Sequence, residues 1–372
     1  MPGLEAIRPS RFPWFDYSRY TFSLGLRRGD STWLSGHSAS EYDPESGHIT
    51  VKGGMAEQTR TAYAKIEAIL EAAGRSLADV RRVVEYVTAK GIDQYEEAAA
   101  VRSTMGFDSP AVCTVVVNRL LRPQALIEIE VTAGPSGDIV YLPSLTAARD
   151  DGSVEAEGDL IGQTQVVFER AARLLESAGL SMSNVVKTVD YTTPATLDVY
   201  RKTGRVRKDL LGPVYPAAAG ILLSRLQHPG ALVSLDVIAS RAEPVAVNPG
   251  WERYAKLTYS PAVRAGSMLF MSGQAALDPE TERAVHAGDI AAQAEYTYTN
   301  ILEVLKAAGC GPENLVKTIE YVPPAGLERY REVAAVRERL LKAPYPASTG
   351  AVCEALLRPE FEIEIDPLAI LG

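Results

Sequence analysis

Residues 315–322 read LVKTIEYV, and the chain repeats the acid-tyrosine pair of this stretch in two other places. Each pair stands 27 residues after a glutamine that opens a helix-like segment, and an arginine follows each acid 17 residues later. A Pro-Ala step comes eight or nine residues after each arginine. The markers are Gln58, Glu85-Tyr86, Arg102 and Pro110-Ala111; Gln163, Asp190-Tyr191, Arg207 and Pro216-Ala217; Gln293, Glu320-Tyr321, Arg337 and Pro346-Ala347. A repeat of about 124 residues therefore determines the architecture.

Composition and charge are those of an acidic globular chain. The 372 residues are 46% hydrophobic and 23% charged, with a formal net charge of −9 and a pI of about 5.2. This charge disfavours nucleic acid and anionic membranes as partners. The first residues, MPGLEAIRPSRFPWFDY, contain no apolar segment of a secretion signal, and no later apolar run approaches the length of a membrane span. We therefore expect a cytoplasmic protein.

The cysteines and histidines predict neither a disulfide framework nor a metal site. The three cysteines form no CxxC pair, and the four histidines show no metal-ligand spacing. A phosphate-binding loop, a dinucleotide-binding glycine motif and a serine-hydrolase elbow are all missing from the sequence. These absences disfavour structural zinc and the commonest nucleotide-binding and serine-hydrolase functions.

The third unit shows the pattern of one repeat most clearly. The predicted elements are a strand at 267–272, a helix at 288–309, a strand at 315–322, a helix at 326–341, and strands near 349–353 and 361–365. Asp289 is the expected N-cap of the first helix, and Gly309 ends it. The order is β-β-α-β-α-β-β, which predicts a two-layer α+β unit with helices on one face of a sheet.

Three such units are expected, at 18–134, 135–242 and 252–371, with the middle one lacking its first hairpin strand. Glycine- and proline-containing linkers at 133–137 and 241–251 separate them. Because the open face of each sheet must be covered, the simplest arrangement packs three sheets around one pseudo-threefold axis, with sheets inside and helices outside. The chain is then a monomeric pseudo-trimer, or a higher homo-oligomer of it.

Four motifs of the third unit closely resemble the RidA/YjgF family, whose pattern is roughly YSxAV, SGQ, NVVKT, PARS and VEIE. They are YSPA at 259–262, LFMSGQ at 269–274, NLVKT at 314–318 and FEIEI at 361–365. Units one and two resemble the family more weakly, through SGH at 35–37, LIEIE at 126–130 and NVVKT at 184–188. The resemblance extends over about residues 18–371.

The resemblance implies a chorismate-mutase-like fold, a trimeric arrangement and ligand sites in the clefts between units. Family members hydrolyse reactive enamines and imines to ketones and ammonia without a cofactor. This chain is similar to such a trimer fused into one polypeptide.

The departures from the family pattern predict a changed substrate. The family arginine that binds the substrate carboxylate is replaced by Val112, Ala218 and Ser348. An arginine fork on a carboxylate is a strong and geometrically specific contact, so its loss disfavours a simple 2-imino acid, unless another cation has replaced it. Unit two also has Ser234 in place of the carboxylate of the VEIE strand, which indicates a degenerate site.

Glu128 and Glu364 are the first catalytic candidates. They occupy the VEIE position that orients water in the family, and strand alternation places each opposite its isoleucine neighbours. A carboxylate there can position water or transfer protons to a leaving amine. The alternative is an exposed outer face of an edge strand.

The recurring acids Glu85, Asp190 and Glu320 are further catalytic candidates. Alternation is expected to direct each acid toward the layer between units and the adjacent tyrosine toward the helices. The alternative is a structural set of ion pairs. The second-helix arginines either pair with these acids or replace the lost substrate arginine; they are Arg102, Arg207 and Arg337.

Five residues complete the predicted substrate-binding set because they match family site positions: Tyr259, Ser272, Gly273, Ser35 and His37. His37 stands where the family has glutamine and is expected to add a group that titrates near neutral pH. A solvated loop histidine is the alternative.

These residues predict a cofactor-independent hydrolase or deaminase that acts on a small-molecule imine, enamine or related C–N compound in a cleft between units. Two other classes stay open. One is hydrolysis of an amide, ring or enol ether, since the same fold is known to host chorismate-converting enzymes. The other is a small-molecule binding protein without catalysis.

Overall fold

The computed structural model describes residues 3–135 and 137–372 and contains three α+β units, each with helices on one face of a sheet. Met1, Pro2 and Ser136, the last within the predicted linker 133–137, lie outside the described residues. The predicted fold class is confirmed: the sheets face one another inside, and the helices lie outside.

Unit 1 has a long helix and a short helix on its sheet. Its strands are Gly25–Arg28, Ser31–Leu34, His37–Ser38, Val80–Thr88, Ala111–Val117 and Ile127–Ala133, with a hairpin of Ser40–Asp43 and His48–Val51. A further strand, Arg119–Leu120, pairs with the sheet of unit 3. Its helices are Met55–Ala72 and Tyr95–Ser103. The short N-terminal strand Glu5–Ala6 extends this sheet.

Unit 2 has fewer strands at its N-terminal side. Its strands are Ile139–Tyr141, Leu145–Thr146, Val185–Thr192, Ala217–Leu222 and Ser234–Ser240. Its helices are Leu160–Ser177, Leu197–Tyr200 and Gly204–Leu210.

Unit 3 differs from its sequence-based prediction in two elements. Its strands are Val245–Val247, Ala262–Ala265, Met268–Met271, Gln274–Ala275, Leu315–Val322, Ala347–Val352, Ala355–Leu356 and Glu364–Ile370, and its helices are Ile290–Ala307, Pro324–Leu327 and Val333–Leu340. The predicted second helix is therefore two pieces, joined through a 3₁₀ turn at Tyr330–Glu332. The last strand begins at Glu364 instead of 361, because the Gln293 side chain bonds the backbone of Glu360 and Glu362.

Each sheet is antiparallel except for one parallel pair, which a helical crossover connects. In unit 3 the parallel pair is Leu315–Val322 with Ala347–Val352, and Glu364–Ile370 lies on the other side of the first of these. In each unit, the strand that carries the acid-tyrosine pair therefore lies directly beside the strand that carries the VEIE position.

The inner faces of the three sheets form a common apolar core around the pseudo-threefold axis. Beside this core a ring of three ion pairs crosses all three unit boundaries: Lys187 with Asp366, Lys317 with Glu130, and Arg82 with Asp236. The ring lines an axial cavity of about 60 Å³. Each unit therefore presents one cation to the next unit and accepts one from the previous unit.

Candidate active site between units

The Pro-Ala markers lie where units meet, and an equivalent backbone hydrogen bond crosses each of the three junctions. In cleft A, between units 1 and 3, the Gly36 N–H donates to Ser348 O at 3.3 Å. In cleft B, between units 3 and 2, the Gly273 N–H donates to Ala218 O at 3.0 Å. In cleft C, between units 2 and 1, Ser144 N donates to Val112 O at 3.2 Å.

The recurring glutamines fix the chain just before the VEIE position. Gln58 accepts from Leu126 N at 2.7 Å, two residues before Glu128. Gln293 accepts from Glu362 N at 2.8 Å, two residues before Glu364. The helix that opens with each glutamine therefore holds the start of the strand that carries the candidate carboxylate.

Glu128 and Glu364 are buried carboxyl groups, each next to a glycine that leaves room for it. Glu128 is 9% exposed and Glu364 is 7% exposed. A Cβ atom on Gly36 would stand 2.3 Å from Glu128 Oε1, and one on Gly273 would stand 2.3 Å from Glu364 Oε1. In the part of the chain that the structure describes, no group donates a hydrogen bond to the Glu128 carboxyl, so both of its oxygens are available to a ligand or water.

Burial keeps both carboxyl groups protonated at neutral pH. It raises the pKa of Glu128 to about 8, with the neighbouring Glu130 carboxylate adding to the rise and Lys65 opposing it. The pKa of Glu364 also rises to about 8, through burial and then the charge of Asp366. A carboxyl group in this state can donate a proton at pH 7.

The prediction that His37 titrates near neutral pH is wrong. Its ring is 3% exposed, lies 6.4 Å from the Phe12 ring, and has Nε2 3.3 Å from Leu24 O. Burial, reinforced by the positive charge of Lys65, lowers the pKa of His37 to about 3. His37 therefore lines cleft A as a neutral group.

The predicted orientation of the recurring acids is also wrong. Glu85, Asp190 and Glu320 face the helices, whereas Tyr86, Tyr191 and Tyr321 belong to the common inner core. The Tyr191 and Tyr321 hydroxyls lie 2.9 Å apart. Strand alternation does place the acid and the tyrosine on opposite faces of the sheet, as predicted. The arginines and tyrosines of the helices determine that the acid is the residue on the helix-covered face.

Each recurring acid pairs with the arginine 17 residues later, so these residues form the structural set of ion pairs. The pairs are Arg102 with Glu85, Arg207 with Asp190, and Arg337 with Glu320. A tyrosine 10 residues after each acid also donates to it: Tyr95 at 2.6 Å, Tyr200 at 2.7 Å and Tyr330 at 2.6 Å. These arginines are therefore committed to the acids and are not free to replace the lost substrate arginine.

Tyr330 is a site residue that the sequence reasoning missed. It lines cleft A together with Arg337, so the Glu320 ion pair lies directly behind the cleft wall and fixes the tyrosine hydroxyl. A signal was present in the sequence, because a tyrosine stands 10 residues after the acid in all three units.

Ser35 and Ser272 bond to backbone where the units join. Ser35 Oγ donates to Ser23 O at 2.6 Å and accepts from Ser348 N at 2.7 Å. Ser272 makes the matching bonds to Ser260 O at 2.6 Å and from Ala218 N at 2.8 Å. Both serines are fully buried, so these hydroxyls stabilise the junctions in place of the predicted substrate contact.

Clefts A and B differ in their aromatic walls. Ser23 and Ser260 each form an isolated β-bridge with the alanine of a Pro-Ala step in another unit. The residues just before these serines, Phe22 in unit 1 and Tyr259 in unit 3, therefore occupy equivalent positions. Tyr259 packs edge-on against Tyr254 with ring centroids 5.5 Å apart. Its pKa is raised by burial.

Cleft A is a pocket of about 530 Å³ between units 1 and 3. His37 and Glu128 line its unit 1 side, and Tyr330 and Ser348 line its unit 3 side. The pocket also has a wall of aromatic rings from the N-terminal segment 15–22 and a group of exposed arginines, neither of which the sequence reasoning identified. Those residues are Phe15, Tyr20, Phe22, Arg19, Arg122 and Arg331.

A family model described as endoribonuclease L-PSP matches residues 17–134, 136–241 and 252–371. The chain therefore belongs to this family and contains its domain three times in tandem, which confirms the predicted RidA/YjgF relationship.

Two relatives match one unit each. A RutC family protein of Synechocystis sp. is 30% identical over 139 residues, which is 37% of this chain and 98% of that protein. The 2-iminobutanoate/2-iminopropanoate deaminase of Homo sapiens is 32% identical over 136 residues, 37% of this chain and 90% of that protein. A crystal structure of a chorismatase covers 78% of this chain and 93% of its own, with 17% identity and a TM-score of 0.51, and so supports the fold.

Over residues 3–135 and 137–372, no helix is long and apolar enough to cross a membrane. Within the same ranges, no cluster of three or more His, Cys, Asp or Glu side chains is arranged to hold a metal ion.

Proposed function

We propose that this protein is a cofactor-independent hydrolase that releases ammonia from a small-molecule imine, enamine or related C–N compound in cleft A. The observation that supports this most directly is the Glu128 carboxyl, which is buried, accepts no hydrogen bond from the described residues, and lines a pocket of about 530 Å³. The deaminase named among the relatives belongs to the same family and supports an enzymatic role. The replacement of the family arginine by Ser348 at this cleft favours a substrate other than a simple 2-imino acid.

The proposed reaction uses Glu128 as a proton donor and acceptor. Its neutral carboxyl gives a proton to the imine nitrogen while water adds to the imine carbon, and the resulting carboxylate takes a proton from that water. A second pair of transfers protonates the amine and deprotonates the hydroxyl, so that the C–N bond breaks and ketone and ammonia leave. One water is consumed and the carboxyl regains its proton, as general acid–base catalysis requires.

The neighbouring groups position the substrate in this scheme. His37 is neutral and Tyr330 is held by Glu320, so both can form hydrogen bonds to the substrate without changing charge. Gly36 leaves the space that the Glu128 carboxyl occupies. Cleft C lacks the carboxylate, because Ser234 stands at that position.

The test is ammonia release from freshly generated imines and enamines, with and without a carboxylate group, measured above the spontaneous rate. We expect turnover by the wild-type protein on at least one member of the panel. Hydrolysis of an amide, ring or enol ether is the second candidate, favoured by the missing arginine at Val112, Ala218 and Ser348. Turnover on such compounds without ammonia release from any imine would replace the first proposal with the second, and binding without any turnover would indicate a binding protein.

The rate of ammonia release is expected to fall as pH rises through about 8. The pKa of Glu128 is raised to about 8, and the neutral form is the proton donor, so activity is present below this pH and decreases by roughly tenfold per unit well above it. The measurement is kcat/KM from pH 6 to 10. Because the pKa of Glu364 is also about 8, the control is the variant Glu364→Gln. Its kcat/KM must still fall as the pH rises through about 8. A rate that rises through pH 8 would contradict the role of Glu128 as an acid.

A further inference from the structure

We infer that the substrate of cleft A is an anion that carries a planar ring. This inference rests on the proposed function for the site, and it adds the chemical class of the molecule that the site accepts. Three features of the cleft support it: unpaired arginines, an aromatic wall and the volume of the pocket.

The arginines give the cleft an excess of positive charge on an acidic protein. Arg19 and Arg122 come from unit 1 and Arg331 from unit 3, and all three are exposed in the lining of cleft A. None of the three makes an ion pair within 4.0 Å in the described ranges, whereas the nearby Arg329 pairs with both Asp289 and Glu332.

The remaining charges of the lining do not cancel this excess. Glu328 is the carboxylate of the lining that faces these three arginines. Asp16 and Glu332, outside the lining, interact electrostatically with Arg19 and Arg331, but neither lies within 4.0 Å of its arginine as an ion pair in the described ranges. Arg337 is neutralised by Glu320, and Glu128 is protonated at neutral pH. Guanidinium groups on both walls therefore favour an anionic ligand, and a carboxylate or phosphate matches their planar fork.

The aromatic wall favours a flat ligand. Tyr20 is 38% exposed, although its ring contacts Phe15 with centroids 6.1 Å apart and Phe22 with centroids 5.2 Å apart. An exposed ring held by two others presents a face or an edge on which a second planar group can stack. Phe22, in the place that Tyr259 has in unit 3, makes this wall more apolar than its counterpart at cleft B.

The pocket has room for a ligand larger than a three- or four-carbon imino acid. At about 530 Å³, cleft A lies within the range of roughly 300–1,000 Å³ found for pockets that bury drug-sized ligands. A ring stacked against the aromatic wall, with its anionic group near the arginines, uses the apolar and the charged parts of the cleft together.

The test measures equilibrium binding by calorimetry, so it does not depend on turnover. The probes are 2-naphthoate, its uncharged analogue 2-naphthamide, and acetate, which has the charge without the ring. We expect 2-naphthoate to bind most tightly and to weaken as salt increases, because exposed charges are screened. Each of Arg331→Gln and Arg122→Gln is expected to weaken 2-naphthoate about tenfold and to leave 2-naphthamide unchanged.

One further variant tests the ring separately from the charge, and another serves as a control. Tyr20→Ser is expected to weaken 2-naphthoate and 2-naphthamide alike, by about fivefold. The matched control is Arg201→Gln, because Arg201 follows Asp190 by the same 11 residues by which Arg331 follows Glu320, but lies in unit 2. All four side chains are at least partly exposed, so the variants are expected to fold, and far-ultraviolet circular dichroism checks this.

Several results would overturn the inference: no binding of 2-naphthoate, equal binding of acid and amide, or equal loss in Arg201→Gln. Its failure is distinguishable from failure of the proposed reaction. Binding with the expected pattern but no ammonia release rejects the reaction alone. Ammonia release from uncharged, ring-free imines without 2-naphthoate binding rejects the present inference alone.

Discussion

Glu128→Gln is expected to lower ammonia release by about 10²- to 10⁴-fold, the range associated with loss of a general acid–base group. The glutamine keeps the shape and neutrality of the protonated side chain but has no acidic proton to transfer. Because the pKa of Glu128 is about 8, the folded protein already holds this group neutral at pH 7. The thermal midpoint of the variant at pH 7 is therefore expected to stay close to that of the wild type, and steady-state kinetics measures the loss.

Glu364→Gln is the matched control for this experiment. Glu364 is as buried as Glu128, has its pKa raised to about 8 by the same cause, and lies over Gly273 as Glu128 lies over Gly36. We expect its activity to remain within about twofold of the wild type. Equal loss in both variants would contradict the assignment of the reaction to cleft A, and loss in Glu364→Gln alone would move the reaction to cleft B.

A second pair of variants tests the same assignment by steric displacement. Gly36→Ala places a methyl group 2.3 Å from the present position of Glu128 Oε1, so the carboxyl must move. Gly273→Ala does the same to Glu364. Loss of activity in the first variant and not in the second is the expected result.

Lys317→Met is expected to lower the free energy of unfolding by about 3–5 kcal/mol, as removal of one partner of a buried ion pair does. Lys317 Nζ lies 2.8 Å from Glu130 Oε1, and the two side chains are 8% and 2% exposed. After the substitution the Glu130 carboxylate stays buried with only the Thr349 hydroxyl as a hydrogen-bond donor in the described part of the chain. Urea unfolding at pH 7 measures the change.

The double variant Lys317→Met, Glu130→Met is expected to recover most of the lost stability, because no buried charge is left unpaired. The control is Arg339→Ala, which breaks an ion pair with Glu295 whose side chains are 53% and 51% exposed. That change is expected to cost less than about 1 kcal/mol. If Lys317→Met costs no more than the control, the axial ring does not stabilise the junction of units 1 and 3.

The architecture could be predicted from the sequence because each recurring residue has a local or a fixed structural partner. Gln58 and Gln293 bond the backbone before the VEIE position, and the Pro-Ala steps bond the next unit. The residues that make these hydrogen bonds recur at nearly constant spacing along the chain, so the amino-acid sequence is enough to reveal the repeat. The same regularity predicted the helix that Asp289 caps, since its side chain accepts from Ala292 N.

The sequence alone was therefore enough to predict three α+β units in tandem, the alternation that separates Glu320 from Tyr321, and the candidate positions Glu128 and His37. The face that each side chain takes became clear only from the packed fold, because it depends on contacts between different elements: Arg337 and Tyr330, from the helical segment that follows the strand, hold Glu320 beneath the helices. The packed fold also decided the protonation of His37 and Glu128, since burial is a property of the packed units and not of a strand. Strand periodicity repeats in every unit, whereas the open volume of cleft A arises where two different units meet.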